Sequence, residues 1–276
     1  MSRTHLLILA FATLTACEWN SPGSPDAKTQ TADSRPRPDA ADDSTSAPTG
    51  HLLLTEVELT PTGAEFIEIT NPTSDPVALA TYYLSDNGNY WKLPAGVPAV
   101  AVSDFIVKFP ATAMIAPGAV VTVALGSATA FNTVNGVQPT YSIADGTMTT
   151  TTVNGTPALT DAGEIIALFE WDGQAGLVGD VDLLLAGAPT AQNGIVSKSG
   201  MTLGAATYAT DANTIANQSA TAATGKSTKR TALEDGAETQ DGAGNGITGD
   251  DETSEDTAMT WDTGAGAPTP GQVPTF

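Results

Sequence analysis

The sequence predicts an all-β domain, a two-sheet sandwich rather than a helical bundle, and three observations carry that prediction. Apolar and polar residues alternate in short runs such as 52–59, with the period of two that a half-buried strand requires. These runs are punctuated by turn sequences, among them Pro61-Thr62-Gly63, Asn71-Pro72 and Pro117-Gly118. The composition is rich in Thr, Ala, Val and Gly and only 6% aromatic, which suits pleated sheets joined by turns. No segment holds a 3.6-residue period over three turns.

The elements follow in order. In the strand 52–59, Leu53, Thr55, Val57 and Leu59 are expected on one face, with Leu54, Glu56 and Glu58 on the other. A turn at 61–63 leads into a second strand over 65–70. Asn71-Pro72 to Asp75-Pro76 is a further turn, because a residue before proline is pushed out of the helical region. Val77, Leu79 and Leu84 continue the pattern to a stop at Asp86-Asn87-Gly88. Short strands are expected at 91–93 and 105–109. Pro117-Gly118 turns into 119–125, and 164–171 and 181–185 are the last clear strands. From residue 211 onward apolar residues thin out, and 234–256 interleaves Asp and Glu with Gly. This acidic stretch reads as a loop over 231–260, either packed on the domain or partly mobile. Trp261 and Pro268-Thr269-Pro270-Gly271 point to a return to the core.

The N-terminus carries a different signal. Arg3, an apolar run over 6–13 and then Leu14-Thr15-Ala16-Cys17 have the order of a secretory signal too short to span a bilayer. Small residues leading into the chain's single cysteine resemble the lipobox of bacterial lipoproteins. That resemblance implies a signal peptide over 1–16, cleavage before Cys17 and diacylglycerol on Cys17. Glu18, rather than Asp, after the cysteine favours the outer membrane. Residues 17–50 are rich in Ser, Pro, Asp, Ala and Thr and bury too little to offset their ordering entropy, so they read as a disordered tether. One cysteine allows no internal disulfide, and the exported domain relies on its core.

Four blocks of the domain resemble the lamin-tail domain, an immunoglobulin-like module also found in bacterial exported proteins. They are Leu54-Thr55-Glu56-Val57 with Glu65-Phe66-Ile67-Glu68-Ile69-Thr70-Asn71; Val77-Ala78-Leu79 with Tyr82-Tyr83-Leu84-Ser85-Asp86; Pro117-Gly118 with Val120-Val121-Thr122-Val123; and 159–168, where Gly163 precedes Ile165, Ile166 and Leu168. The ending, 227–230, 245–253, Trp261 and 268–271, is also similar to bacterial members. The resemblance implies one immunoglobulin-like β-sandwich over 51–271. Thr81-Tyr82 stands where the family favours Gly-Trp, with Tyr82 filling the aromatic slot. The stretch 127–155 is expanded and leaves its strand number open. Val57, Ile67, Ile69, Leu79, Leu84, Val121, Val123, Ile166 and Leu168 are the expected core.

Charge and residue inventory narrow the function. The net charge is -21, and from 38 to 225 the basic residues are Lys92, Lys108 and Lys198. A nucleic-acid partner or a polybasic membrane contact needs a basic footprint that this chain lacks, so membrane contact is expected through the N-terminal lipid. After signal cleavage His51 is the one histidine, and no G-x-S-x-G, P-loop or H-E-x-x-H occurs. No catalytic residue, cofactor or metal is therefore assigned. Two alternatives remain. Glu56 and Glu58, with Glu65 and Glu68 on the next strand, could form the pair of a carboxylate-based hydrolase, although solvated strand faces explain them more simply. Asp241, Asn245, Asp250, Asp251, Glu252 and Asp256 could bind Ca²⁺ in an adhesion module, but the EF-hand spacing is absent and a solvated acidic loop is the expectation. The reading is a non-catalytic envelope lipoprotein that displays a β-sandwich for binding or architecture.

Overall fold

A computed structural model describes residues 50–187, 196, 198–210, 222–233, 244–249 and 251–276. The signal peptide, Cys17 and all but the last residue of the tether lie outside the described residues, as do Asp241 and Asp250. Among the described residues, chain order gives β1 (Leu53–Glu58), β2 (Phe66–Thr70), β3 (Val77–Ala78), β4 (Tyr82–Ser85), β5 (Phe105–Lys108), β6 (Met114–Ile115) and β7 (Val120–Ala124). Helix α1 (Ala128–Asn135) follows, then β8 (Tyr141–Ser142), β9 (Thr149–Val153), β10 (Gly163–Glu170), β11 (Gly179–Gly187), β12 (Thr202–Leu203), β13 (Ala206–Thr207), β14 (Thr228–Lys229) and a last short helix, α2 (Thr257–Thr260). One five-stranded sheet has the order β14-β1-β2-β7-β8 and the other β11-β10-β4-β5-β9. Neighbours run antiparallel except β7 and β8, so the all-β sandwich expected from the alternation is present.

The two sheets bury a common core, and all nine residues expected there belong to it. Tyr82 and Trp261 join them, so the C-terminal segment does return to the interior. Asn71 folds its turn as a short amide does. Its Oδ1 accepts from the Thr73 N–H at 3.0 Å, and its Nδ2 donates to the Asp75 and Ile115 carbonyls.

Two local expectations need correction, and the stretch left open is resolved. Leu54, not Leu53, lies in the inter-sheet core with Val57 and Leu59, because the register of β1 against β2 shifts between Leu54 and Glu56. A bulge inserts one residue and breaks the strict period of two. Residues 91–93 are not a strand but part of a 3₁₀ helix, Tyr90–Ala95. Asn87 starts it, accepting from Asn89 N–H through Oδ1 and from Tyr90 N–H through its carbonyl. A three-residue turn then stacks Tyr90 over Leu93, and both are buried. The open stretch 127–155 contains α1, capped by the Ser127 hydroxyl on the Ala130 N–H and by Gly136 at φ 72°, followed by β8 and β9.

The second sheet is buried on both faces. Its outer side, with Tyr83, Ile106, Ile165, Phe169, Leu183 and Leu185, packs beneath the 3₁₀ helix, Val196 and Tyr208. Two covered faces explain why 165–169 and 183–186 are continuous apolar runs rather than alternating ones. Phe66 on the outer side of the first sheet meets Phe131 of α1 edge to face at 5.6 Å.

Candidate functional site

The acidic side chains of β1 and β2 lie inside the protein, contrary to the expectation of solvated strand faces. Glu56, Glu58, Glu65 and Glu68 are all at most 2% exposed. Glu56 and Glu68 sit directly opposite one another on the sheet side away from the core. Two like charges in that position repel unless something neutralises them. The C-terminal segment crosses here and supplies donors. Glu56 accepts from the Thr269 N–H and hydroxyl, both at 2.8 Å, and from the Ser227 hydroxyl, and the Lys229 ammonium stands 3.7 Å away. Glu68 accepts from the Gly271 N–H at 2.6 Å and from Thr122. Burial, followed by the Glu56 charge, pushes Glu68 up to about 8 against the donated hydrogen bonds. At neutral pH Glu68 is therefore mostly protonated, which removes its side of the repulsion.

The neighbouring acids behave alike. Glu65 receives the Gly63 and Leu159 N–H groups, one on each oxygen. Both oxygens of Glu58 lack a hydrogen-bond partner among the described residues, and burial with the nearby Glu56 and Glu65 raises it to about 7. At the far end of the second sheet, Asp86 holds the Phe105 N–H at 2.7 Å, and Glu164 holds those of Thr160 and Ile165. Burial raises Asp86 well above the usual carboxylate range and Glu164 to about 8.

A buried cation closes the edge where β1 of one sheet meets β11 of the other. β14 ends at Lys229, so beyond Thr55 the edge of β1 has no strand neighbour among the described residues. Arg230 takes that place with its side chain. Its Nε donates to the Leu54 carbonyl, Nη2 forks both Asp182 oxygens at 2.8 Å, and Nη1 meets Glu255 at 2.8 Å. Asp182 in turn accepts the Leu54 N–H at 2.6 Å. The guanidinium lies 5.4 Å from the Trp261 ring centroid. A second buried pair, Lys198 with Asp180, joins β11 to the segment on its outer face.

Sequence reasoning did not single out Arg230, Asp182, Glu255, Lys198 or Asp180. The available signal was rarity: in so acidic a chain, the few basic residues are surrounded by an excess of carboxylates to pair with. The Ca²⁺ candidates within the described residues have other employment. Asn245 bonds both main-chain groups of Ala209, Asp251 accepts the Thr253 hydroxyl, Asp256 caps α2, and Glu252 is buried. Beside the crossing C-terminal segment lies an open polar cleft of ≈ 380 Å³, lined by Thr55, Glu56, Lys229, Asp262, Thr269 and Gln272 among others. Lys229 there donates to the Ala267 carbonyl and the Thr269 hydroxyl. The cleft offers hydroxyl and amide contacts to a polar partner.

Residues 45–176 match the family model for the Lamin Tail Domain. The match ends before β11 and β14, so the clamps through Asp182, Arg230 and 269–271 are built by chain outside it. No curated protein matches the chain. A solved DUF4876 family protein from Bacteroides thetaiotaomicron VPI-5482 is similar at 16% identity and TM-score 0.41, over 82% of this chain and 75% of that one.

Proposed function

We propose that this chain, which carries a Lamin Tail Domain over residues 45–176, is a lipid-anchored envelope protein whose sandwich serves binding or architecture rather than catalysis. One observation carries the reading. Of the four acids from which a hydrolase pair could be drawn, Glu56, Glu65 and Glu68 are engaged by the protein's own main chain, and Glu58 is 0% exposed. Glu56, Glu65 and Glu68 receive N–H groups of Thr269, Gly63, Leu159 and Gly271, and Asp86, Glu164 and Asp182 do the same elsewhere. A catalytic pair keeps oxygens available to substrate, whereas these hold loops to strands, Glu56 included although it borders the polar cleft. The immunoglobulin-like character of the matched family supports the same conclusion. The lipobox-like 14–17 supplies the anchor, the tether supplies reach, and the polar cleft beside Lys229 and Thr269 is the surface we assign to an envelope partner, protein or glycan.

The test is metabolic labelling with a radioactive fatty acid, followed by detergent partition. The wild type is expected to carry label and enter the detergent phase. Cys17→Ser is expected to lose both properties and to accumulate as an uncleaved or aqueous form. A wild type without label overturns the anchor, and with it the envelope assignment.

A further inference from the structure

We infer that Lys198 and Asp180 are the two halves of an intramolecular isopeptide bond, a covalent amide between the lysine Nζ and the aspartate Cγ. Lys198 Nζ lies 2.5 Å from Asp180 Oδ2, and the two side chains are 0% and 2% exposed. The pair sits against aromatic rings. Lys198 Nζ is 6.0 Å from the Tyr90 ring centroid, and that ring is 5.0 Å from Phe169. The Tyr90 hydroxyl donates to the other carboxylate oxygen, Oδ1, at 2.7 Å. Asp180 is fixed by its main chain as well, donating to the Asn245 carbonyl and accepting from the Ile247 N–H.

This is an unusual arrangement to keep as a simple ion pair. Removing two charges from water costs several kcal/mol for each ion, and apolar residues of the same volume are often as stable. Condensation removes both charges at once. Proton transfer from the ammonium to Oδ2 within the pair gives an amine and a carboxylic acid. The Nζ lone pair then attacks Cγ, and the new C–N bond pushes electron density onto Oδ1, where the Tyr90 hydroxyl stabilises it. The C–Oδ2 bond breaks, and the departing hydroxyl takes a proton from Nζ. The balance is amine plus acid to amide plus one water, with no oxidant or co-reactant. Holding the reacting atoms in contact supplies an effective concentration of about 10⁵–10⁸ M relative to free reactants. The bond would fasten the segment that covers the outer face of the second sheet to β11.

The experiment is tryptic digestion of the denatured full chain with mass spectrometry. Lys108, Lys198 and Lys226 are successive cleavage sites. With the bond in place trypsin does not cut after Lys198. Peptide 109–226 then appears lighter by one water and yields no fragment ions from within the closed loop 180–198. Lys198→Arg keeps the cation but forms no such amide, so it is cut at 198 and has full mass, folded or not. A wild type cut after Lys198 at full mass overturns the inference. So does a water loss that persists in Lys198→Arg, because cyclisation at Asp145-Gly146 or Asp172-Gly173 would then be its source.

Discussion

Replacing Arg230 by methionine isolates the clamp between the sheets, because methionine keeps most of the volume and removes the charge. The change strands Asp182 and Glu255, both at most 3% exposed, and takes the Nε donor from the Leu54 carbonyl. Breaking a buried pair from one side costs about 3–5 kcal/mol, far above the roughly 0–1 kcal/mol of an exposed pair. With an unfolding slope of about 2–3 kcal/mol per molar urea, the midpoint should fall by about 1–2 M with the slope unchanged. The loss should be smaller at pH 5 than at pH 8, since protonation relieves the stranded carboxylates. Adding Asp182→Asn and Glu255→Gln to Arg230→Met should restore at least half of the loss. The rescue needs no charge next to Leu54, because the amide oxygen introduced by Asp182→Asn still accepts the Leu54 N–H. Equilibrium urea unfolding at both pH values reads all three numbers. A single-variant loss below about 1 kcal/mol, or one equal at the two pH values, refutes the argument that Arg230 is a structural clamp.

Two further outcomes follow from the same interior. Glu58, Glu68 and Glu164 have folded pKa values of about 7, 8 and 8 against 4.5 unfolded, so the folded state holds extra protons. Their contribution is fully present below pH 4.5 and is lost as pH rises through about 8; Tm should therefore be higher at pH 5 than at pH 8.5, with Glu164→Gln flattening that slope, and a Tm that climbs with pH would contradict it. Gly264→Ala should destabilise more than Gly271→Ala in thermal melts. Both glycines have positive φ, 66° and 80°, which costs about 1–2 kcal/mol for alanine, but a Cβ at 264 would also lie 2.6 Å from Ala222 Cα whereas that at 271 meets open space; equal losses would show that the close approach is unimportant.

The core was legible because it obeys a local rule. Val57, Ile67, Ile69, Val121 and Val123 alternate with polar neighbours, and period two places them on one face whatever the partner strand. What was hidden depends on events distant in sequence. Nothing near Leu54 announces a bulge, so its face was misassigned by one step. Residues 91–93 are too few to separate a strand from a helical turn by periodicity. Glu56 and Glu68 look like solvent-facing charges in any local window, because the donors that cover them arrive more than 200 residues later, at Thr269 and Gly271. The second core was visible in part, in the unbroken apolar runs of β10 and β11, but the residues covering it, such as Tyr208 and Val196, follow no local pattern.

The buried acids and the irregular C-terminal half explain one another. Among the described residues after β11, ladders are two residues long or single bridges, so these segments leave main-chain N–H groups that strands would otherwise satisfy. A carboxyl side chain is well suited to receive them, since it offers two acceptor oxygens. Glu56 serves the Ser227 hydroxyl and the Thr269 N–H, Glu68 serves the Gly271 N–H, and Asp262 meets the N–H groups of both Lys229 and Gly264. The cost is desolvation, and the molecule offsets it by pairing Asp182, Glu255 and Asp180 with Arg230 and Lys198 and by keeping Glu68 and Glu164 protonated near neutral pH. Acidity in this chain is therefore divided between two tasks. Part of it forms a self-repelling surface, and part, among the described residues, does the work of strand ladders in tying the C-terminal segments to the sandwich.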